Sequence, residues 1–132
     1  MPKTKIRILM GRLGEGYKES SLKFAKALAD AGCEVVYTEL QDPEAIVRSA
    51  IQESVDVIGM TTLPGADIEV FQTISDVLKR EKNDILVTAG GFLDEADIAR
   101  LKAMGVKEFF PKGTSIKALF EWGQIHILPK AR

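Results

Sequence analysis

Cysteine is almost absent from this 132-residue sequence, which contains only Cys33. A single cysteine cannot form an intramolecular disulfide or a cysteine-based zinc site, and such low usage is typical of a reducing cytosol. We therefore expect a cytoplasmic protein that folds on its apolar core alone. Because 45% of the residues are apolar and a chain of this length buries roughly two-thirds of its unfolded surface, one domain can be stable without such links.

A surplus of one charge is also lacking, since 18 Lys and Arg balance 19 Asp and Glu to a net charge of -1. Domains that bind nucleic acid usually carry a basic surplus, so we expect no nucleic-acid partner. No apolar run approaches the ~20 residues that span a bilayer. The charged segment 1–5 is followed by no long apolar stretch, so we expect neither a signal peptide nor a membrane partner.

Histidine is equally scarce, because His126 is the only one and it lies in a stretch, 123–132, without clear periodicity. A catalytic Ser–His–Asp or Cys–His arrangement would require that stretch to fold back over the rest of the chain. The sequence also shows no pair of carboxylates that looks like an acid/base pair. We therefore predict no catalytic residue, and we expect Cys33 to be a small buried residue.

Strand and helix patterns alternate along the rest of the chain. Runs rich in apolar and β-branched residues predict five strands, at residues 5–10, 34–38, 55–60, 84–88 and 107–110. Each run is followed by apolar residues at helical spacing. Five strand–helix units predict an α/β fold, Rossmann-like or flavodoxin-like, with a five-stranded parallel sheet of order 2-1-3-4-5 and helices on both faces. We expect one domain over residues 1–132, with its core at about 5–122 and a tail at 123–132.

In such a sheet, ligands bind beyond the carboxyl ends of the strands. We therefore consider first the loops that follow strands 1 and 3. The first loop is rich in glycine, which allows close approach of the backbone to a ligand. It lacks the Gly-Lys-Ser/Thr of a phosphate-binding P-loop and the spacing of a dinucleotide fingerprint. After strand 3, Thr61 and Thr62 present hydroxyls that can bond into a cleft. Turn formation and helix capping explain the same residues equally well.

Two further loops share that edge. After strand 4, Gly90 and Gly91 leave room for a flat group, or form a tight turn. After strand 5, Gly113 and Thr114 precede a helix, where backbone amides can meet an anion or simply be capped. Each of these loops alone is weak evidence for a binding site. The predicted fold, however, places all four loops at the same edge of the sheet, which we call the rim.

The same topology occurs in receiver domains that accept a phosphoryl group, and the third strand argues against that function here. Receivers need an aspartate at the end of this strand, where the sequence has Gly59, Met60 and Thr61. Asp56 lies near the beginning of the strand instead. Lys112 therefore has no phosphoacceptor aspartate to pair with.

Over about residues 5–122 the sequence resembles the cobalamin-binding domain of the methylmalonyl-CoA mutase type. The segments that carry the resemblance are 5–9, 27–38, 55–59, 65–66, 90–91, 101–106 and 113–115. The resemblance implies that the corrinoid lies on the rim and that its benzimidazole nucleotide tail enters a slot beside the sheet. It also implies cobalamin as cofactor, in the adenosyl form, and a large acyl-CoA-binding mutase subunit as partner.

The family's signature, D-x-H-x-x-G with S-x-L and G-G, is matched unevenly. Gly90 and Gly91 match the glycine pair, and Thr61 and Leu63 match S-x-L. With one residue deleted, the first part falls on residues 15–20. There Glu15 replaces aspartate, Tyr17 replaces histidine and Ser20 replaces glycine.

In the family that histidine is the lower ligand of the cobalt, so the resemblance places Tyr17 beneath the metal. A phenol is mostly protonated at neutral pH and is a poor metal ligand, and we predict no metal-ligating residue. The resemblance implies ten cofactor-binding residues: Glu15, Gly16, Tyr17, Ser20, Thr61, Leu63, Gly90, Gly91, Gly113 and Thr114.

Three functions remain open at this point. The first is a cobalamin-binding small subunit of an acyl-CoA mutase, a carbon-skeleton isomerase, which holds the corrinoid without histidine and is inactive alone. The second is a non-catalytic, cobalamin-free structural or regulatory subunit that docks on a mutase-like partner. The third is an unrelated small-ligand binder on a flavodoxin-like scaffold.

Overall fold

The computed structural model describes residues 5–132, and its central feature is a parallel sheet in the order β2-β1-β3-β4-β5. Every neighbouring pair of strands runs parallel. The strands are β1 (Arg7–Leu13), β2 (Glu34–Tyr37), β3 (Val57–Thr62), β4 (Leu86–Gly91) and β5 (Glu108–Pro111). The predicted fold class and strand order are confirmed.

A helix follows each strand: α1 (Lys18–Ala31), α2 (Pro43–Gln52), α3 (Glu69–Arg80), α4 (Glu95–Ala103) and α5 (Ile116–His126). The carboxylate of Asp42 accepts from the Ala45 amide, and that of Asp94 accepts from the Asp97 amide. These are the N-caps that such residues form. None of the helices described over residues 5–132 is long and apolar enough to cross a membrane.

The C-terminal stretch differs from the expectation, because α5 continues to His126 instead of losing its periodicity at Gly123. Gly123 is buried, and a Cβ there would lie 3.2 Å from Ile6 Cδ1. This glycine therefore lets α5 pack closely on the sheet, and it does not end the helix. The expectation rested on the lack of clear periodicity in residues 123–132.

The two faces of the sheet are packed differently. Helices α2, α3 and α4 cover one face through a single continuous core that includes Phe71, Ile74 and Leu101. Helices α1 and α5 cover the other face through two smaller clusters, one around Cys33 and Ile127 and the other around Met10, Ala25 and Leu28. Ile8 and Val35 pack against both of these clusters.

The chain end is attached to the sheet at the end opposite to the carboxyl ends of the strands. Asp56, which directly precedes β3, accepts hydrogen bonds from the Arg7 amide at 2.8 Å and the Lys130 amide at 2.8 Å. The Arg132 guanidinium donates to the same carboxylate at 2.9 and 3.2 Å. Burial by itself raises the pKa of Asp56, but the bonds from Arg132 and the two amides outweigh it, and the pKa lies below its ordinary value.

We expect Asp56→Asn to lower the free energy of unfolding by about 1–2 kcal/mol at pH 7, because it removes charge-assisted bonds from a partly screened pair. The pKa of Asp56 is lower in the folded than in the unfolded chain, whose value is about 4. Its contribution is therefore complete above pH ~4 and is lost as the pH falls through the folded pKa. Urea unfolding at several pH values measures both effects.

Asp30→Asn is the matched control, since this carboxylate is exposed and pairs with Lys26 within α1. It should change the unfolding free energy little at any pH. A stability gap between the wild type and Asp56→Asn that stays constant down to pH 2 contradicts the assignment.

Candidate functional site

A cavity of about 450 Å³ lies between the sheet and helices α1 and α5, and it extends to the carboxyl ends of the strands. Its volume is within the range of pockets for small molecules, roughly 300–1,000 Å³. Phe24 of α1 and Phe120 of α5 lie on the helix side, and Ile8 and Thr88 lie on the sheet side. Residues of both clusters of this face line the cavity.

Gly59 in the central strand β3 allows the cavity to reach the sheet. A Cβ at this position would lie 3.5 Å from Thr88 Oγ1 and 3.6 Å from Ile8 Cγ2, which are ordinary contact distances. An alanine therefore fits here, but a large side chain would extend into the cavity. Sequence reasoning did not select Gly59, although a glycine within a buried strand is a signal of close approach by another group.

The glycine pair at the end of β4 lies against the backbone of neighbouring strands. A Cβ on Gly91, whose φ is 114°, would lie 2.4 Å from the Thr62 carbonyl oxygen. A Cβ on Gly90 would lie 2.9 Å from the Phe110 carbonyl oxygen. A side chain at either position would thus meet neighbouring backbone, so the packing of the sheet requires glycine here. Both glycines also line the cavity, as does Gly59.

Arg12, at the end of β1, organises the glycine-rich first loop. Its guanidinium donates to the Gly16 carbonyl at 2.6 Å, to the Glu39 carboxylate at 2.8 Å and to the Tyr37 hydroxyl at 3.4 Å. The Arg12 side chain is only 11% exposed. The loop is therefore held by a charged group that is largely shielded from water, which strengthens its hydrogen bonds.

Gln41 supplies a second attachment of the same loop. Its amide nitrogen donates to the Arg12 carbonyl at 2.6 Å, and its amide oxygen accepts from the Gly14 amide at 3.0 Å. Tyr17 then begins α1 in the left-handed conformation, with φ 59° and ψ 21°. This backbone conformation is uncommon for a residue with a side chain, and the two attachments hold the loop that leads into it.

Aromatic and cationic side chains surround the cavity mouth. Tyr17 is 54% exposed, and its ring centroid lies 6.4 Å from that of Phe92. The Lys112 ammonium lies 4.8 Å from the centroid of the Phe92 ring. This is the geometry of a cation–π contact. We call Tyr17, Phe92 and Lys112 the rim cluster.

The structure brings eight of the ten predicted binding residues to this cavity. They are Tyr17, Ser20, Thr61, Leu63, Gly90, Gly91, Gly113 and Thr114. Glu15 and Gly16 do not line it; Gly16 instead accepts the hydrogen bond from Arg12. Sequence reasoning missed Phe92 and Lys112 as site residues, and it missed the apolar inner wall because each of its residues looks like ordinary core.

Cys33 and His126 lie away from the mouth. Cys33 is 6% exposed at the inner end of the cavity, as expected for a buried residue, and burial raises the pKa of its thiol. His126 stacks on Trp122 with ring centroids 4.5 Å apart and does not line the cavity. Within residues 5–132, no three or more His, Cys, Asp or Glu side chains are grouped so that they could hold a metal ion.

Comparison with known sequences identifies clear relatives. A family model described as B12 binding domain matches residues 20–120. The 2-hydroxyisobutanoyl-CoA mutase small subunit of Aquincola tertiaricarbonis is 37% identical over 124 residues, covering 92% of this chain and 91% of that protein. The pivalyl-CoA mutase small subunit of Xanthobacter autotrophicus is 31% identical over 118 residues, covering 88% and 80%.

Comparison with solved structures shows the fold alone, because the identities are low. A cobalamin-binding protein from Desulfitobacterium hafniense DCB-2 has a TM-score of 0.73 at 18% identity, covering 92% of this chain and 58% of that one. The NarL receiver domain from Mycobacterium tuberculosis has a TM-score of 0.69 at 18% identity, covering 93% and 98%. The carboxyl end of β3 carries Met60, Thr61 and Thr62, whereas Asp56 lies at the other end of the strand, where Arg132 binds it.

We expect Arg12→Met to loosen the first loop without disturbing the sheet, because the bonds to Gly16 and Glu39 are lost together. Hydrogen exchange of the amides of residues 14–17 should become about tenfold faster, which corresponds to local opening. Lys18→Met is the control. Lys18 is exposed, and its ammonium lies 3.7 Å from the Glu39 carboxylate, which is farther than the 2.8 Å of the Arg12 guanidinium. Equal exchange in the wild type and Arg12→Met shows that Arg12 does not hold the loop.

Proposed function

This chain belongs to the B12-binding domain family, and we propose that it is the cobalamin-binding small subunit of an acyl-CoA mutase that holds the corrinoid without a histidine ligand. The cavity on the α1/α5 face is the observation that carries the proposal. Its mouth is at the carboxyl edge of the sheet, where ligands of this fold bind. Family membership excludes the third alternative, an unrelated binder on a similar scaffold.

The residues of the cavity fit the nucleotide tail of cobalamin. A benzimidazole is flat and largely apolar, and the inner wall around Gly59 and Phe24 is apolar as well. Ser20, Thr61 and Thr114 are among the lining residues, and a hydroxyl group can bond to the ribose. Burial of apolar surface then supplies most of the binding free energy.

The predicted site residues become proposals for the bound state. We propose that Tyr17 lies against the corrin where relatives with the full signature have histidine. We further propose that Thr61, Leu63, Gly90, Gly91, Gly113 and Thr114 contact the tail and that Ser20 begins the helix beside it. Glu15 and Gly16 then act through the shape of the first loop, since they lie outside the cavity lining.

The cofactor and partner follow from the same proposal. Adenosylcobalamin supplies a cobalt–carbon bond whose cleavage starts radical chemistry. The large, acyl-CoA-binding subunit of the mutase supplies the substrate site, because a cavity of about 450 Å³ in one small domain cannot also enclose a CoA ester. We propose that the chain acts as a single domain in the cytoplasm, as its single cysteine suggests, and that it is inactive alone.

The second alternative, a cobalamin-free docking subunit, has one observation in its favour, namely Tyr17 in place of histidine. The size and apolar lining of the cavity favour cobalamin binding. Filling it with core side chains would stabilise a subunit that no longer binds a ligand, since empty apolar space costs stability.

Uptake of cobalamin tests the proposal directly. The purified chain is mixed with adenosylcobalamin or hydroxocobalamin and passed through a gel-filtration column. We expect the corrinoid absorbance to elute with the protein. A colourless protein peak refutes the proposal and supports the cobalamin-free alternative.

Two substitutions of Gly59, one large and one small, test whether the cavity is the site of uptake. Gly59→Leu should reduce uptake at least tenfold because its side chain fills the cavity, whereas Gly59→Ala should retain uptake because its Cβ meets only ordinary contacts. Circular dichroism of both variants verifies the fold. If Gly59→Leu takes up cobalamin as well as Gly59→Ala does, the tail does not enter this cavity.

Tyr17→His tests the position of the cobalt. Because a neutral imidazole is a good ligand for transition metals, we expect the visible spectrum of the bound corrinoid to shift toward that of nitrogen-ligated cobalt. Tyr17→Phe should leave the wild-type spectrum unchanged. A Tyr17→His spectrum identical to the wild type would place Tyr17 away from the metal.

A further inference from the structure

The charge of the cavity lining is a feature that the proposed function does not yet use. Among the residues that line the cavity, Lys112 is the only one that is charged at neutral pH. The rest are apolar residues, glycines, one proline and residues with hydroxyl or thiol groups. The cavity is thus suited to a largely apolar ligand that carries one negative charge.

Lys112 is also available for a ligand. It takes part in none of the ion pairs formed within residues 5–132. Two other cations of this edge are engaged, because Arg12 and Lys18 both pair with Glu39. An anion at the mouth therefore meets the Lys112 ammonium without competition from a protein carboxylate.

The position of Lys112 is restricted by its neighbours. Its ammonium lies over the Phe92 ring at 4.8 Å, which keeps the cation beside the mouth. The following turn is closed by the Thr114 hydroxyl, which donates to the Pro111 carbonyl at 2.6 Å. Lys112 itself is exposed, so the charge lies where the cavity meets water.

We propose that Lys112 binds the phosphodiester of the corrinoid's nucleotide tail and thereby selects complete cobalamin over corrinoids that lack the nucleotide. This inference rests on the proposed function. An apolar base can enter the inner cavity, but its phosphate stays at the mouth, because burying an unpaired charge is costly. A phosphodiester carries one negative charge, which matches the single positive charge of the lining.

The experiment measures corrinoid binding through quenching of Trp122, the only tryptophan of the chain, which itself lines the cavity. The wild type, Lys112→Met and Lys112→Arg are titrated with hydroxocobalamin and with cobinamide, which lacks the nucleotide and its phosphodiester. Each titration is repeated at low and high salt. Met retains the length and apolar stem of lysine, and Arg retains its charge.

We expect Lys112→Met to weaken cobalamin binding about tenfold at low salt, as befits loss of one charge-assisted contact, and to flatten its salt dependence. Lys112→Arg should stay within about threefold of the wild type. Cobinamide should bind the wild type more weakly than cobalamin does, and its affinity should not respond to Lys112→Met.

The proposal is overturned if Lys112→Met changes the affinity for cobalamin by less than twofold, if Lys112→Arg loses as much affinity as Lys112→Met, or if the affinity for cobinamide falls as much as the affinity for cobalamin. In the last two cases the effect belongs to packing against Phe92. Competition by adenosine monophosphate at lower concentrations than cobalamin would assign Lys112 to a free nucleotide instead. A wild type that binds no corrinoid refutes the proposed function itself, and this inference with it.

Discussion

A parallel sheet has to be covered by helices on both faces. In this structure the helices pack closely on one face and leave a cavity on the other, and the rest of the structure depends on that difference. Helices α2, α3 and α4 close one face with a continuous core. Helices α1 and α5 leave a cavity of about 450 Å³ on the other, in which Gly59 exposes the central strand. Close packing normally eliminates such space in a protein interior. A persistent apolar cavity at the ligand-binding edge of the fold is therefore best understood as a binding site.

The cavity persists because α5 is anchored at its far end and the first loop is anchored at the mouth. Gly123 lets α5 approach Ile6, and the chain end returns to the Asp56 carboxylate through Arg132. At the other edge, Arg12 and Gln41 hold the loop that leads into α1. These attachments are made by the protein alone. For the proposed ligand, attachments that exist before binding would lower the entropy cost of binding.

The proposed binding of cobalamin treats the cavity for the nucleotide tail and the ligand of the cobalt as two separate features. Apolar burial, hydroxyl groups and one cation can bind a nucleotide tail whether or not a protein side chain reaches the metal. We propose that Tyr17 provides no ligand to the cobalt and that this chain holds the corrinoid through its nucleotide tail.

The sequence alone was sufficient for the strand order, the fold class and the family, because periodicity and short motifs are local properties of the chain. Eight of the ten predicted site residues also reach the cavity, since loops that follow parallel strands share one edge. Tertiary structure alone decided the rest. The Asp56–Arg132 pair joins residues 76 positions apart, and the rim cluster joins three separate loops. Likewise, Gly59 becomes the inner wall of a cavity only once α1 and α5 are packed over it. Such features depend on distances between segments, which no local pattern in the sequence encodes.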